Sequence, residues 1–340
     1  MNKILQNKKF QTGLLLSLTI VVLYFLLKDN FLEVMTELFK MNIGWVLVTI
    51  ILILGFWMFK AIGNYIIIKQ VKPDFKIIDS LKINLIVQFF NSITPFSAGG
   101  HPAQVYLLKK HDISLSNGTN ITIQNFIVYQ IAVVIIQIFS IIMAFKTNIF
   151  GNNYLMKLLV IGGLGLDFFI ILILFILAFS KKTKYILIKI GITILTKFKL
   201  VKNKEKKLEE WNEKIITFHT GAVELMKNKK DFYKSIVCNF IGLIAFYLTP
   251  LTLLYATGDY TSLLPIESIF TISCIVMAAD LVPTPGQLGG LEYGFSVLFG
   301  NYIGGYILPT VLIAWRFLSY YLTIIIGSIT LNIRKEVTTD

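Results

Sequence analysis

Six apolar runs, each long enough to cross a lipid bilayer, limit the folding of this 340-residue chain more than any other feature. A membrane-spanning helix needs about 20 predominantly apolar residues. The runs cover Phe10–Leu27, Ile43–Ile68, Gly118–Phe145, Leu155–Phe179, Ser235–Ala256 and Tyr306–Leu331. With 55% hydrophobic residues and a mean hydropathy of +0.72, the chain carries too much apolar surface for a soluble core. We therefore predict an all-α polytopic membrane protein, with residues 1–340 forming a single integral membrane domain.

Two further apolar stretches are interrupted by proline and glycine. Ile77–Leu108 contains T-P-F-S-A-G-G-H-P-A-Q, and Leu264–Gly300 contains P-T-P-G-Q-L-G-G-L-E. Inside a bilayer every backbone N–H and C=O needs a partner, so such breaks persist only where protein or a water-filled cavity surrounds them. Each stretch is predicted to form a re-entrant helical hairpin. Breaks placed in both halves of a membrane protein are typical of transporter sites.

The distribution of lysine and arginine predicts the orientation of the chain. If both broken stretches return to their own side, twenty-six basic loop residues fall on one face and four on the other. Basic loops stay in the cytoplasm, so both termini are predicted to be cytoplasmic, in the plasma membrane. The first hairpin then enters from the cytoplasm and the second from outside, which makes the halves inverted repeats. Because the basic residues follow the topology, the net charge of +13 does not indicate nucleic acid binding.

The basic loop at 181–234 is the one sizeable soluble segment that the sequence predicts. Within it Leu208, Trp211, Ile215 and Phe218 recur at steps of three and four, which predicts an amphipathic helix. We expect this helix to lie on anionic inner-leaflet lipids or on the base of the protein. A binding site for a regulatory partner is the alternative.

Five of the charged residues inside the apolar segments are candidates for function, because charge is costly there. They are Lys60, Asp167, Asp280, Glu292 and Arg316. Asp280 and Glu292 flank the second break, and either is expected to offset Arg316 in the following span. A purely structural buried ion pair is the alternative. Function is favoured because the acids adjoin a glycine-rich break, where half-helix ends present partial charges.

The predicted transport site combines both breaks with the last span. Its members are Gly99, Gly100, His101, Pro102, Gln104, Asp280, Pro285, Gly286, Gln287, Gly289, Glu292 and Arg316. His101 fits either a proton-sensing group or a permanently neutral hydrogen-bonding group. Gln104 and Gln287 fit contacts with a polar headgroup or with freed backbone groups. No catalytic residue, metal site or cofactor is predicted, because the common nucleophile, phosphate-loop and zinc motifs are missing.

The two breaks, read as P-F-S-A-G-G-H-P-A-Q-V-Y-L-L and P-T-P-G-Q-L-G-G-L-E, resemble motifs of a known family. It is the membrane domain of lysylphosphatidylglycerol synthase/flippase proteins, the multiple peptide resistance factor family, and the resemblance covers nearly the whole chain. The resemblance implies that the domain moves aminoacylated phosphatidylglycerol to the outer leaflet, which contributes to resistance against cationic antimicrobial peptides. It also implies functional roles for Gly99, Gly100, Pro102, Gln104, Glu292 and Arg316.

Two departures from the family pattern shape the functional expectation. Full-length members carry a cytosolic aminoacyltransferase domain, whereas this sequence ends at Asp340, soon after the last apolar run. The second break reads Gly-Gln-Leu-Gly-Gly where the family more often has Gly-Gly-Leu-Gly. We expect a flippase-type transporter of a membrane phospholipid or a lipid-linked headgroup. The alternatives are a phosphatidylglycerol lysyltransferase, or a membrane partner of a separate synthase or glycosyltransferase; the lipid and homo-oligomerisation stay open.

Overall fold

The protein is described by a computed structural model over residues 31–179, 216 and 228–336, and the regular elements in these ranges are all helices. The α-helices are α1 Phe31–Lys40, α2 Ile43–Val71, α3 Ile77–Ile93, α4 Gly100–Lys109, α5 Leu115–Lys146, α6 Tyr154–Phe179, α7 Lys229–Tyr247, α8 Thr249–Ala256, α9 Pro265–Ala279, α10 Gly290–Leu298, α11 Ile307–Arg316 and α12 Leu322–Glu336. The predicted all-helical class is confirmed. The predicted span at Phe10–Leu27 and most of the loop at 181–234 lie outside the described residues.

Five helical stretches of the described residues are long and apolar enough to cross a membrane. They are Ile43–Val71, Leu115–Lys146, Tyr154–Ile173, Lys229–Ala256 and Ile307–Asn332, and they coincide with five of the predicted runs. Polar caps fix where two of them begin. The Asn42 side chain accepts the Gly44 N–H at 2.9 Å, and the Ser114 hydroxyl accepts the Asn117 N–H at 3.2 Å. Helix α5 therefore starts three residues before the apolar run predicted at Gly118.

The outward faces of these helices are apolar. On α5, Ile135, Ile138, Phe139 and Ile142 are exposed and follow one another at steps of three, one and three. This spacing places them on a single face of the helix. A contiguous exposed apolar surface of this kind fits contact with lipid, and it confirms the membrane class.

Helix α3 ends directly at break 1 (residues 94–99), and helix α9 ends at Ala279, shortly before break 2 (residues 284–289). Each break contains one 3-10 turn, at Pro95–Ser97 and at Pro285–Gln287. Two consecutive residues in each turn have positive φ: 53° and 52° at positions 96 and 97, and 60° and 56° at positions 286 and 287. An α-helix cannot continue through left-handed residues. Beyond the breaks, α4 packs against α3 and α10 packs against α9.

The helix contacts made by one half of the chain have equivalents in the other half. Helix α3 packs on α12 near the end of the chain, and its counterpart α9 packs on α5 in the first half. Helix α2 packs on its counterpart α7, and break 1 contacts break 2. This pattern is the one expected of two repeats related by a two-fold axis.

An aromatic core lies beside break 2 and fixes the end of α11. Phe295 stacks on Phe299 with ring centroids 4.1 Å apart, and on Trp315 with centroids 5.5 Å apart. The Trp315 indole N–H donates to the Thr249 hydroxyl at 3.0 Å. These contacts hold α8, α10 and α11 together, so Arg316, the next residue along the chain, has a fixed position.

Candidate functional site

A cavity of about 380 Å³ lies where the two breaks meet. Its wall is built from both breaks, from helices α2 to α7 and from the chain between α9 and the start of α12. Six of the predicted site residues line it: His101, Gln104, Asp280, Gly286, Gln287 and Arg316. The other six are neighbours of lining residues along the chain or in space but do not line the cavity themselves: Gly99, Gly100, Pro102, Pro285, Gly289 and Glu292. The cavity also contains Lys60 and Asp167, which the sequence indicated as charged but did not place with the breaks.

Break 1 is held by hydrogen bonds from its glycine N–H groups. The Gly99 N–H donates to the Thr94 hydroxyl and the Gly100 N–H donates to the Asn91 side-chain oxygen, both at 2.9 Å. A Cβ at Gly100 would lie 2.1 Å from that oxygen, so any other residue here would displace the Asn91 side chain and disturb this hydrogen bond. The break therefore presents His101 and Gln104, one turn into α4, to the cavity.

The two cavity-lining side chains of α4 differ in their surroundings. The His101 ring is exposed and meets the edge of Phe126 with centroids 4.9 Å apart. Gln104 is buried, and its Nε2 has no hydrogen-bond partner within the described part of the chain. Helix α4 thus supplies an imidazole ring and a side-chain amide to the cavity.

Break 2 is packed against the last span. Gly286 has a φ of 60°, and a Cβ there would lie 2.0 Å from the Tyr320 ring, so both backbone conformation and space require glycine. The Gln287 side-chain amide donates to the Asp280 carboxylate across the break. The Gly289 N–H donates to the Glu292 carboxylate at 2.6 Å, which closes the first turn of α10.

Arg316 joins α11 to both sides of break 2. Its Nε lies 2.7 Å from Glu292 Oε1, and each side chain is only 8% exposed. A terminal nitrogen of the guanidinium donates to the Gly286 carbonyl at 3.1 Å, and the group lies 4.7 Å from the centre of the Tyr320 ring. Of the two acids expected to offset Arg316, Glu292 is the ion-pair partner, while Asp280 bonds to Gln287.

A π-helical turn at Phe317–Tyr321 follows Arg316 directly. Such turns are rare and occur frequently at functional sites, because they change which side chains face the interior. Within this turn the Tyr320 hydroxyl donates to the Ser92 carbonyl at 3.1 Å. The last span is thereby bonded to the helix that enters break 1.

Asp167 is buried on α6 and accepts two amide hydrogen bonds from α5. Gln130 donates to one carboxylate oxygen at 2.9 Å and Gln137 donates to the other at 2.6 Å. The two glutamines are seven residues apart and so share one helix face. That spacing was visible in the sequence, but the partner on α6 was not.

Lys60 on α2 also lines the cavity. No acidic partner was predicted for it from the sequence. Its Nζ lies 4.2 Å from the centre of the Tyr129 ring and 5.7 Å from that of Phe56. None of the ion pairs found among the described residues involves it. A cation held only by aromatic rings keeps its capacity to bind an anion.

The two breaks share more sequence than a proline and two glycines. Positions 94–100 and 284–290 both read Thr-Pro-x-x-x-Gly-Gly, with a constant offset along the chain. Thr94 bonds to the Phe90 carbonyl and Thr284 bonds to the Leu288 carbonyl, so each threonine satisfies a backbone group freed by its break. These threonines were not among the predicted site residues, although the repeated motif was visible in the sequence.

The chain is similar to known proteins over the whole region that contains the breaks and the cavity. The family model described as Lysylphosphatidylglycerol synthase TM region matches residues 10–327, which include both breaks and every charged cavity residue. A UPF0104 membrane protein of Archaeoglobus fulgidus is 24% identical over 334 residues, covering 94% of this chain and 95% of that protein. The chain therefore belongs to the lysylphosphatidylglycerol synthase transmembrane-region family, as the paired break motifs predicted.

Proposed function

We propose that this protein is a flippase-type transporter that moves a phospholipid or another lipid-linked headgroup between the leaflets of the plasma membrane. The contact between the two breaks carries the proposal, because it lies at a cavity that charged and amide side chains help to line. The surrounding helices expose apolar outer faces. Transporter sites commonly form where broken helices of two repeats meet. A volume of about 380 Å³ suits a headgroup, since ligand pockets span about 300–1,000 Å³. The acyl chains would stay in the bilayer.

The proposed topology places both broken stretches as re-entrant hairpins that enter from opposite sides. Both termini and the basic loop at 181–234 would face the cytoplasm and its anionic lipids. The asymmetry of lysine and arginine and the exchange symmetry of the helix contacts support this arrangement. Alternating access would then move one repeat against the other around the cavity.

The test uses purified protein in liposomes that contain a trace of acyl-labelled fluorescent lipid. A membrane-impermeant quencher added outside measures the fraction of label in the outer leaflet. We expect the protein to increase the quenchable fraction for at least one of phosphatidylglycerol, phosphatidylinositol and lysylphosphatidylglycerol. An unchanged fraction for all three lipids, with correctly folded protein, would overturn the proposal.

A phosphatidylglycerol lysyltransferase, or the membrane partner of a separate synthase, is the second candidate, favoured by the description of the family. It predicts that the purified chain, alone or with the partner, forms lysylphosphatidylglycerol from lysyl-tRNA and phosphatidylglycerol. Thin-layer separation of the lipids detects this product directly. Product formation without lipid translocation would favour the second candidate over the transporter.

A further inference from the structure

Several buried amide atoms around the cavity have no hydrogen-bond partner among the described residues. Neither polar atom of Asn125 has a partner within the described residues, and the same holds for Gln104 Nε2 and Asn84 Oδ1. All three side chains line the cavity and are at least nine-tenths buried. Buried polar groups nearly always have partners, so three such amides around one space point to a ligand that supplies them.

The carboxylates of the site, in contrast, are already engaged. Asp167 accepts from two glutamine amides, Asp280 accepts from Gln287, and Glu292 accepts from a backbone N–H and pairs with Arg316. Each carboxylate therefore has at least one partner inside the protein, whereas the amide atoms named above have none among the described residues.

Lys60 differs from these carboxylates, because it is a cation and can bind an anionic group. Its ammonium group lines the cavity against the Tyr129 ring and has no carboxylate within ion-pair distance among the described residues. A phosphate is an anion that a lysine binds well as a point charge. Amides, for their part, suit hydroxyl groups, because each amide offers both donors and an acceptor.

We infer that the cavity selects a lipid whose headgroup is an uncharged polyol, such as inositol or a sugar, joined to the lipid through a phosphate. The phosphate would meet Lys60, and the hydroxyls would meet Asn84, Gln104 and Asn125. The inference rests on the proposed function, because transport is the reason for taking the ligand to be a lipid. It adds which headgroup the transport site binds.

The test measures binding to the purified protein in detergent micelles with four lipid probes. Phosphatidylinositol carries both features, phosphatidic acid only the phosphate, glucosyl diacylglycerol only the polyol, and lysylphosphatidylglycerol an amine. We expect phosphatidylinositol to bind at least about tenfold more tightly than each of the others. Soluble inositol phosphate should compete only weakly if the source is a lipid, and strongly if it is a free phosphate ester. Equal or tighter binding of phosphatidic acid or lysylphosphatidylglycerol would overturn the inference.

Two variants assign the selectivity to its residues. Lys60→Gln should remove the preference for phosphatidylinositol over glucosyl diacylglycerol, because the phosphate loses its partner. Asn125→Leu should remove the preference over phosphatidic acid, because the hydroxyls lose theirs. If Asn125→Leu fails to fold, Gln104→Leu tests the same loss of a hydrogen-bond partner for the hydroxyl groups.

Asn120→Leu is the matched control. Asn120 lies on the same helix, is 9% exposed and has an oxygen without a partner among the described residues, but it does not line the cavity. Its replacement should leave all preferences unchanged. Equal effects of the Asn120 and Asn125 variants would contradict the inference. Selective binding of phosphatidylinositol without translocation would refute the transport proposal and leave the inference standing. Translocation of lysylphosphatidylglycerol without that selectivity would refute the inference and leave the transport proposal standing.

Discussion

Neutralising one partner of the Glu292–Arg316 ion pair should destabilise the protein strongly. The Nε–Oε1 distance is 2.7 Å and each side chain is only 8% exposed, so the remaining partner would keep a desolvated charge. Removing one partner of a buried pair costs about 3–5 kcal/mol. Glu292→Gln keeps an oxygen for the Gly289 N–H, whereas Arg316→Gln also loses the bond to the Gly286 carbonyl. We therefore expect about 3 kcal/mol for Glu292→Gln and about 5 kcal/mol for Arg316→Gln.

A double-mutant cycle measures the pair itself. The double variant buries no charge from this pair, so it should cost about 2–3 kcal/mol less than the sum of the single variants. Denaturant unfolding in detergent micelles gives these free energies. The control is Asp112→Asn, because Asp112 pairs with Lys72 at 3.6 Å while 92% of its side chain is exposed. That variant should change the free energy of unfolding by less than about 1 kcal/mol. Additive costs for the buried pair would refute the reasoning.

Transport by the same variants separates a functional pair from a structural one. If the two charges act on the headgroup, Glu292→Gln, Arg316→Gln and the double variant should all lose transport, although the double variant regains part of its stability. A double variant that regains both stability and transport would leave the pair a structural role only. The Asp112→Asn control should transport normally.

Three further predictions concern packing, topology and the buried aspartate. Gly163→Ala should destabilise the protein by about 1–3 kcal/mol, because its Cβ would lie 1.9 Å from a backbone carbonyl of α9, whereas Gly165→Ala, with nothing within 4 Å, should not. With the native cysteines replaced by serine, a cysteine at Asn117 should react only with a cytoplasmic reagent and one at Asn152 only with an external one; external labelling at Asn117 would contradict the first re-entrant hairpin. Asp167→Asn should cost about 1–3 kcal/mol in unfolding experiments, because its amide nitrogen would face a glutamine donor; an unchanged stability would show that the two glutamine bonds contribute nothing.

The spans and the breaks could be predicted from the sequence because their causes are local. An apolar run such as Ile43–Ile68 forms a helix wherever lipid surrounds it, and proline followed by paired glycines interrupts a helix in any fold. The positions of α2, α5 and the breaks agree with those signals within a few residues. The first span and the basic loop are predictions that stand outside the described residues.

The contents of the site were only partly predictable, because they depend on packing between distant segments. The sequence left Arg316 with two candidate acids, and the choice of Glu292 follows from the fold of break 2, which places Gln287 on Asp280. Lys60 stands out in the sequence only as a costly charge. Its place opposite the breaks results from the packing of α2 on α7, which hydropathy does not encode.

The two breaks agree in backbone and differ in chemistry, and this difference indicates how the cavity works. The shared Thr-Pro-x-x-x-Gly-Gly gives both breaks the same left-handed turn and the same short helix. Immediately afterwards the halves diverge: His101 and Pro102 in the first correspond to Leu291 and Glu292 in the second. The second half therefore carries the Glu292–Arg316 ion pair, while the first supplies amides and Lys60 to the same cavity. Geometry is thus specified where the repeats agree, and selectivity for a headgroup must arise where they differ.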